Sequence, residues 1–294
     1  MDFFQITGAK KSGFSFSATV ILFVILSLII QGLFGVILPT DGVWYKVVCA
    51  FCSPLAICLV VLFSSLNKKV SVLSVCSVQK FNPLYIIPAV LLSVGMLFGL
   101  GFINDLVSSV FVNAGLNVPT ATVPFQGVWS LVVYLISLAL LPALFEESLF
   151  RGLMLGGFER KNGFLSIFSI AVCFALYHGS VSQFAYQLIY GVWLTALAYK
   201  SGSSLPSMIT HFINNALVLI LSYLGVAVDF YNPVLITVGV ILLLGVTAFL
   251  IFYDCKTERE NSQEPQYKTA LGFWAYALMG VAVTVAIIVG NLMV

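Results

Sequence analysis

Charged residues are scarce in this sequence: 8% of its 294 residues are Asp, Glu, Lys or Arg, while 61% are hydrophobic. An average soluble domain is about 25% charged and about 45–50% apolar. The deficit argues against a water-soluble globular fold, whose surface would carry far more charge. The net charge of +2 is too small to indicate a nucleic-acid partner. The sequence therefore predicts a membrane protein.

The sequence shows neither a cysteine framework nor the pattern of a signal peptide. The six cysteines are scattered, mostly through apolar runs, and form neither a disulfide framework nor paired zinc-ligand spacings. The first apolar run, 14–38, is longer than the roughly 7–15 residues of a signal-peptide core. We therefore expect this run to be retained as the first membrane span.

Long apolar runs are what the sequence does have. A helix needs about 20 mostly apolar residues to cross the hydrocarbon core, and backbone in lipid must satisfy its own hydrogen bonds. The runs predict an all-α transmembrane bundle of about nine spans, in a single membrane-embedded domain over 1–294. The predicted spans are 14–38, 44–66, 82–112, 126–157, 163–180, 183–199, 203–225, 231–253 and 270–293. The polar stretch at about 254–269 is predicted to be a cytoplasmic linker before the last helix.

Basic residues are distributed unevenly between the two ends of these spans. With a cytoplasmic N-terminus, eleven of the thirteen fall on that side: Lys10, Lys11, Lys68, Lys69, Lys80, Arg160, Lys161, Lys200, Lys256, Arg259 and Lys268. Lys46 lies on the other side, and Arg151 lies within a span. Cytoplasmic loops of membrane proteins carry such an excess. The asymmetry predicts a cytoplasmic N-terminus, and we expect a multi-pass protein of the cell membrane.

Few strongly polar residues interrupt the spans. Charges at bilayer depth cost about 2.5–3.5 kcal/mol each on insertion scales, and those present commonly mark function. The group consists of Glu146, Glu147 and Arg151 in the fourth span, His178 in the fifth and His211 in the seventh. Both histidines of the chain belong to it. Asp105, near the outer end of the third span, is a less central candidate.

The three spans bring these groups to comparable depths. At about 1.5 Å per residue from the predicted inner helix ends, Glu146 lies about 16 Å, His211 about 12 Å and His178 about 22 Å into the membrane. We therefore expect the three side chains to converge near the bilayer middle.

Helical spacing predicts that the two neighbouring glutamates point in different directions. Glu147 and Arg151 are four residues apart, so they share a helix face and can form an ion pair. Glu146 is rotated by about 100° and points elsewhere. His211 and Asn215 are also four apart and share a face.

These side chains suit peptide hydrolysis. A carboxylate and an imidazole can hold and deprotonate a water that attacks a carbonyl, and a second imidazole with a carboxamide can stabilise the resulting oxyanion. We predict Glu146 as the base, His178 as its partner on the water, and His211 with Asn215 as the oxyanion donors. Asn214, rotated by about 100° from Asn215, receives no role.

Three motifs in this order resemble the CAAX protease and bacteriocin-processing family, also called Abi or type II CAAX prenyl endopeptidases. EESLFR at 146–151, FALYH at 174–178 and HFINN at 211–215 fit the patterns EExxxR, FxxxH and HxxxN. The resemblance covers roughly 126–225, the expected catalytic core. Outside it, the spans resemble the family only in being hydrophobic.

The resemblance implies a helical intramembrane endopeptidase that cuts near the membrane face. In prenyl-protein members it implies removal of a C-terminal tripeptide after a lipidated Cys; leader-peptide or bacteriocin processing is the other option. The resemblance implies that Glu146 and His178 activate the water, and that His211 and Asn215 stabilise the oxyanion. The supporting residues are Glu147, Arg151 and Phe174.

The sequence leaves two alternatives open, a site without a cofactor and a site with a bound metal. Glu146, His178 and His211 are residue types that can bind zinc with one position open. The HExxH helix of many zinc peptidases is absent, and Asn215 is a better oxyanion donor than zinc ligand. The prediction is a site that requires no cofactor, with a divalent metal such as zinc as the alternative.

Two other functions compete with hydrolysis. One is a non-catalytic membrane scaffold, regulator or immunity protein of the same family. The other is a proton-coupled transporter, since buried Glu and His can relay protons, but the internal repeats typical of transporters are missing. The expected partners are a membrane-associated peptide or lipidated protein and the bilayer, with no nucleic acid.

Overall fold

The chain is an all-α bundle in the computed structural model, which describes residues 8–68, 70–119, 123–158, 163–253 and 266–293. Every regular element in these ranges is helical, which confirms the predicted fold class. The α-helices are α1 Ala9–Phe34, α2 Val43–Ala50, α3 Cys52–Lys68, α4 Val72–Val75, α5 Ile86–Leu100, α6 Phe102–Asn113, α7 Val128–Tyr134, α8 Leu141–Glu147, α9 Gly163–Tyr177, α10 Val181–Ser201, α11 Leu205–Tyr223, α12 Pro233–Phe252 and α13 Gln266–Met293. Two π-helical segments, Leu135–Leu140 and Ser148–Met154, flank α8.

Helices lie in each of the predicted spans. Within the described chain, seven helical runs are long and apolar enough to cross a membrane: Ala9–Phe34, Val43–Leu66, Pro83–Asn113, Val128–Gly157, Leu205–Tyr223, Pro233–Phe252 and Ala270–Met293. The other two are α9, with 15 residues, and α10, which carries polar side chains such as Gln183 and Gln187. The number of spans and the orientation of the N-terminus stay predictions.

Part of the sequence interpretation falls outside the described residues. The predicted linker 254–269 does so up to residue 265, and α13 begins at Gln266. The same holds for five of the basic residues used for the orientation: Lys69, Arg160, Lys161, Lys256 and Arg259.

The bundle reverses the pattern of a soluble protein. Large apolar side chains such as Leu28, Phe63, Leu244 and Leu278 are exposed on its outside, whereas charged side chains of the EESLFR segment are buried inside. Polar groups in membrane proteins face the bundle interior, because lipid cannot solvate them.

Small residues let the helices approach closely where they cross. A Cβ on Gly239 of α12 would overlap the backbone of Gly99 in α5. Between α1 and α13, Ser17 Oγ donates to the carbonyl oxygen of Tyr276 at 2.7 Å. Small residues and interhelical hydrogen bonds are the usual means of packing helices in lipid, where no hydrophobic force drives them together.

Contacts between loops identify the two ends of the bundle. At one end, Ser203 Oγ donates to the carbonyl oxygen of Gln79 at 2.9 Å. We call this end, next to Lys80, the basic pole. At the other end, Asn291 Nδ2 of α13 donates to the carbonyl oxygen of Gly179 at 3.3 Å, and we call this end the distal pole.

Candidate active site

The carboxylates of Glu146 and Glu147 lie at the end of α8, between the two π-helical segments. Pro142, the second residue of α8, has no N–H to offer the carbonyl of Leu138 four residues earlier. Nδ2 of Asn215 in α11 donates to that carbonyl at 3.3 Å. π-helical turns occur frequently at functional sites. This hydrogen bond ties α11 to the segment that leads into the carboxylates.

The ion pair predicted between Glu147 and Arg151 is confirmed. Nη1 of Arg151 donates to Oε1 of Glu147 at 2.7 Å, with both side chains fully buried. Nε donates to Thr195 Oγ1 at 3.2 Å and Nη2 to the carbonyl oxygen of Gly191 at 3.3 Å. The guanidinium carbon lies 4.3 Å from the centroid of the Phe174 ring. A buried charge is tolerated when it is paired and hydrogen-bonded, so this network holds α10 against the EESLFR segment.

His211 also binds Glu147, a contact that the sequence interpretation missed. Its Nδ1 lies 2.9 Å from the Oε1 atom that accepts the bond from Arg151. The residues are 64 positions apart, so helical spacing carries no signal for the contact. A ring nitrogen that faces a carboxylate carries the proton. Nε2 of His211 is therefore the nitrogen left for the cavity.

His178 lies in the turn between α9 and α10, just past the end of the helix. Its Nδ1 lies 2.8 Å from the carbonyl oxygen of Phe174, which assigns the ring proton to Nδ1 and leaves Nε2 unprotonated. The next residue, Gly179, has a φ of 60°, a left-handed conformation that glycine adopts without strain. The Phe174 ring packs against the rings of His178 at 4.8 Å and His211 at 5.9 Å between centroids, so it supports both imidazoles.

One cavity of about 510 Å³ is lined by all four residues predicted to be catalytic, Glu146, His178, His211 and Asn215. Ligand pockets commonly measure about 300–1,000 Å³. Glu146 is 8% exposed, and its Oε2 has no hydrogen-bond partner among the described residues. Buried polar atoms are normally paired, so an unpaired carboxylate oxygen in an internal cavity indicates a functional group. Asp105 is exposed and lines the same cavity.

A larger cavity, of about 760 Å³, lies between α1 and α3. Its lining is apolar apart from Lys11, Ser15 and Ser64. It offers no carboxylate or imidazole, so the chemistry is assigned to the smaller cavity.

Asn214, which the sequence interpretation set aside, also lines the catalytic cavity. It is buried, and Tyr186 donates a hydrogen bond from its hydroxyl group to Oδ1 at 3.2 Å. Asn215 is half-buried and engaged with Leu138. Adjacent residues on a helix point about 100° apart, yet the cavity is wide enough to take in both carboxamides.

The alternative of a bound zinc ion depends on how closely Glu146, His178 and His211 are grouped. In the part of the chain that the structure describes, no three His, Cys, Asp or Glu side chains are grouped so that they could hold a metal ion. Glu146, His178 and His211 therefore form no ready-made ligand set. Nδ1 of each histidine is bound to a protein oxygen, as it is in many zinc-ligating histidines, so Nε2 of each is the nitrogen that a metal would meet.

Comparison with known proteins gives one match. Residues 128–217 match the family model described as type II CAAX prenyl endopeptidase Rce1-like, which confirms the resemblance carried by the three motifs. The matched range contains every residue discussed as catalytic or supporting. No curated protein and no solved structure matches the chain.

Proposed function

We propose that this chain is an intramembrane endopeptidase that hydrolyses a peptide bond of a membrane-associated peptide or lipidated protein at the cell membrane. The observation that best supports it is the buried carboxylate of Glu146, whose Oε2 has no described partner, in a cavity shared with two imidazoles. The family match over 128–217 points to the same class of enzyme.

Glu146 acts as the general base in this proposal. A water held between Glu146 and Nε2 of His178 loses a proton to the carboxylate as its oxygen bonds to the substrate's carbonyl carbon. The C–N bond then breaks, and Glu146 returns the proton to the leaving nitrogen. One water is consumed, one carboxylic acid and one amine are formed, and the glutamate is regenerated. The cycle therefore balances without a cofactor.

His211 and Asn215 stabilise the oxyanion of the tetrahedral intermediate. Since Nδ1 of His211 donates to Glu147, the ring donates from Nε2 only as an imidazolium, and the Glu147 carboxylate stabilises that charge. A preorganised donor of this kind is worth about 2.7–4 kcal/mol. Arg151 keeps Glu147 ionised and in place.

The test is hydrolysis of peptides by the purified protein in detergent. The substrates are a library of apolar peptides and farnesylated peptides that end in a CAAX sequence. Wild type is compared with Glu146→Gln, which keeps the shape of the side chain but removes its basicity, and with His178→Ala. Each protein is assayed with and without a chelator.

We expect cleavage by wild type, its loss in both variants, and no effect of the chelator. Loss of cleavage with chelator and its return with zinc would contradict the cofactor-free cycle. Cleavage that persists in Glu146→Gln would remove Glu146 from the mechanism. Absence of cleavage by folded wild type would favour the non-catalytic scaffold.

A further inference from the structure

The catalytic cavity contains two carboxamide groups that the proposed hydrolysis does not use. Asn104 lies in α6 and Gln187 in α10, two helices that pack against each other. Both side chains line the cavity that contains Glu146. Oδ1 of Asn104 and Oε1 of Gln187 are buried and have no hydrogen-bond partner among the described residues. Buried polar atoms are normally paired, so two unpaired oxygens in one cavity indicate a ligand that brings its own donors.

Two other carboxamides of the same cavity are bound to protein groups. Oδ1 of Asn214 accepts a hydrogen bond from the Tyr186 hydroxyl group at 3.2 Å, and Nδ2 of Asn215 donates to the carbonyl oxygen of Leu138 at 3.3 Å. The two unpaired oxygens therefore differ from their neighbours in the cavity. A carboxamide oxygen accepts hydrogen bonds and cannot donate them, so the ligand groups that fit are N–H or O–H groups.

A peptide carries such donors at regular intervals. Each of its residues except proline has one backbone N–H, and an N–H that leaves water for a buried cavity needs an acceptor there. Part of the lining, such as Leu219 and Phe230, offers only apolar side-chain atoms. The carboxylate of Glu146 is engaged with the attacking water in the proposed cycle. The oxygens of Asn104 and Gln187 are therefore available to the backbone N–H groups of a bound peptide.

The space around this pair continues along one face of α10. Gln183 lies one helical turn before Gln187, on the same face. Together with His178 it lines both the catalytic cavity and an adjoining cavity of about 290 Å³. A peptide bound at Gln187 therefore has room to extend past His178 toward the distal pole.

We propose that Asn104 and Gln187 form a backbone-binding subsite, in which the side-chain oxygen of each accepts a hydrogen bond from a substrate N–H close to the cut bond. This proposal rests on the hydrolysis proposed above and narrows its substrate class. Because the subsite binds the backbone, it accepts extended peptides that differ in their side chains. It rejects a proline or an N-methylated residue at either contacted position, because such a residue has no N–H to donate.

Backbone esters test the subsite. In a peptide that wild type cleaves, each N–H near the cut bond, except that of the cut bond itself, is replaced in turn by an ester oxygen. Each ester removes one donor and leaves every side chain unchanged. At two positions we expect wild type to show a KM raised about three- to tenfold, the effect of losing one neutral hydrogen bond. We expect little change in kcat, because the contact is made equally in the ground state and the transition state.

Two variants assign the contacts. In Gln187→Ala one of the two ester effects should disappear, and in Asn104→Ala the other, because the acceptor is already gone. Asn113→Ala is the matched control and should keep both effects: Asn113 is an exposed asparagine of the same helix as Asn104 and lines neither cavity. A wild type that is indifferent to every ester would overturn the proposal even if a variant failed to fold. So would ester effects that survive in both variants.

A binding measurement separates this proposal from the hydrolytic one. The same peptides carry an N-terminal fluorophore, and their dissociation constants for the purified proteins in detergent are measured by anisotropy. If nothing is cut, but two esters weaken binding to wild type and each effect disappears in one variant, the hydrolysis fails and the subsite stands. If peptides are cut and every ester binds and reacts like its parent, the hydrolysis stands and the subsite fails. If no peptide binds, both fail.

Discussion

Oε1 of Glu147 accepts a 2.9 Å hydrogen bond from Nδ1 of His211, a residue 64 positions further along the chain. The same oxygen accepts the 2.7 Å bond from Arg151. One carboxylate oxygen therefore binds two chargeable groups, one from its own helical stretch and one from α11. Its neighbour Glu146 is left to face the cavity.

Glu147→Ala should destabilise the protein by about 3–5 kcal/mol, because it leaves the buried Arg151 guanidinium without its counter-ion. Thermal unfolding in detergent measures the effect. The double variant Glu147→Ala/Arg151→Leu should be more stable than the single variant, since no unpaired charge remains. A double variant as unstable as the single one would show that the ion pair is not the cause.

Glu146→Gln should separate catalysis from stability. Removal of a general base typically lowers the rate by about 10²–10⁴-fold. Unfolding should shift by no more than about 0.5 kcal/mol, because the Oε2 atom of Glu146 has no described partner to lose. Peptide hydrolysis and thermal unfolding of the same preparation give both values. A large loss of stability would indicate a structural role instead.

Asn215→Ala should lower kcat by about 10²–10³-fold with little change in KM, as expected for the loss of an oxyanion donor. Asn214→Ala should instead cost about 1–3 kcal/mol of stability, since the buried hydroxyl group of Tyr186 loses its acceptor. Kinetics and unfolding on both variants distinguish the two. The opposite pattern would transfer the oxyanion role to Asn214.

Gly152→Ala should destabilise the protein by about 1–3 kcal/mol through overpacking. A Cβ at Gly152 would lie 2.6 Å from the backbone carbonyl carbon of Cys76, and backbone cannot move aside as a flexible side chain can. Gly245→Ala is the matched control, because a Cβ there meets no atom within 4 Å. It should be neutral or stabilising by up to about 1 kcal/mol. Equal effects of the two substitutions on unfolding would contradict the packing argument.

The orientation predicted from the basic residues places the catalytic cavity toward the non-cytoplasmic face. Three residues that line it lie toward the distal pole: Asp105 near the start of α6, Gln183 near the start of α10, and Phe230 in the loop between α11 and α12. A membrane-impermeant maleimide should label Asp229→Cys in intact cells, above the wild-type background of native cysteines. It should label Lys80→Cys only after permeabilisation. The reverse pattern would place the N-terminus and the basic pole outside.

Contacts within the site that join residues one helical turn apart follow from the sequence alone. The Glu147–Arg151 pair and the bond from His178 to the Phe174 carbonyl both join residues four positions apart. That separation is one turn of a helix, so the contact follows once the segment is helical. The all-α fold followed in the same way, because lipid leaves a long apolar run no other way to satisfy its backbone.

Contacts between different helices could not be predicted from spacing along the chain. The sequence assigned Glu147 to Arg151 alone and set Asn214 aside, whereas the structure adds the bond from His211 to Glu147 and the bond from Tyr186 to Asn214. These contacts depend on how α8, α10 and α11 cross and on the π-helical segments around α8. No short-range pattern encodes a crossing angle.

The sequence by itself therefore determined the helical membrane fold, because that fold follows from composition and from long apolar runs. It also identified the four side chains predicted to be catalytic, through their depths in the predicted spans and the three motifs that contain them. Only the tertiary structure decided that Glu147 is the carboxylate bound by His211, and that Glu146 shares one cavity with His178 and His211. Those properties arise where separate helices meet, and packing between distant segments sets the distances there.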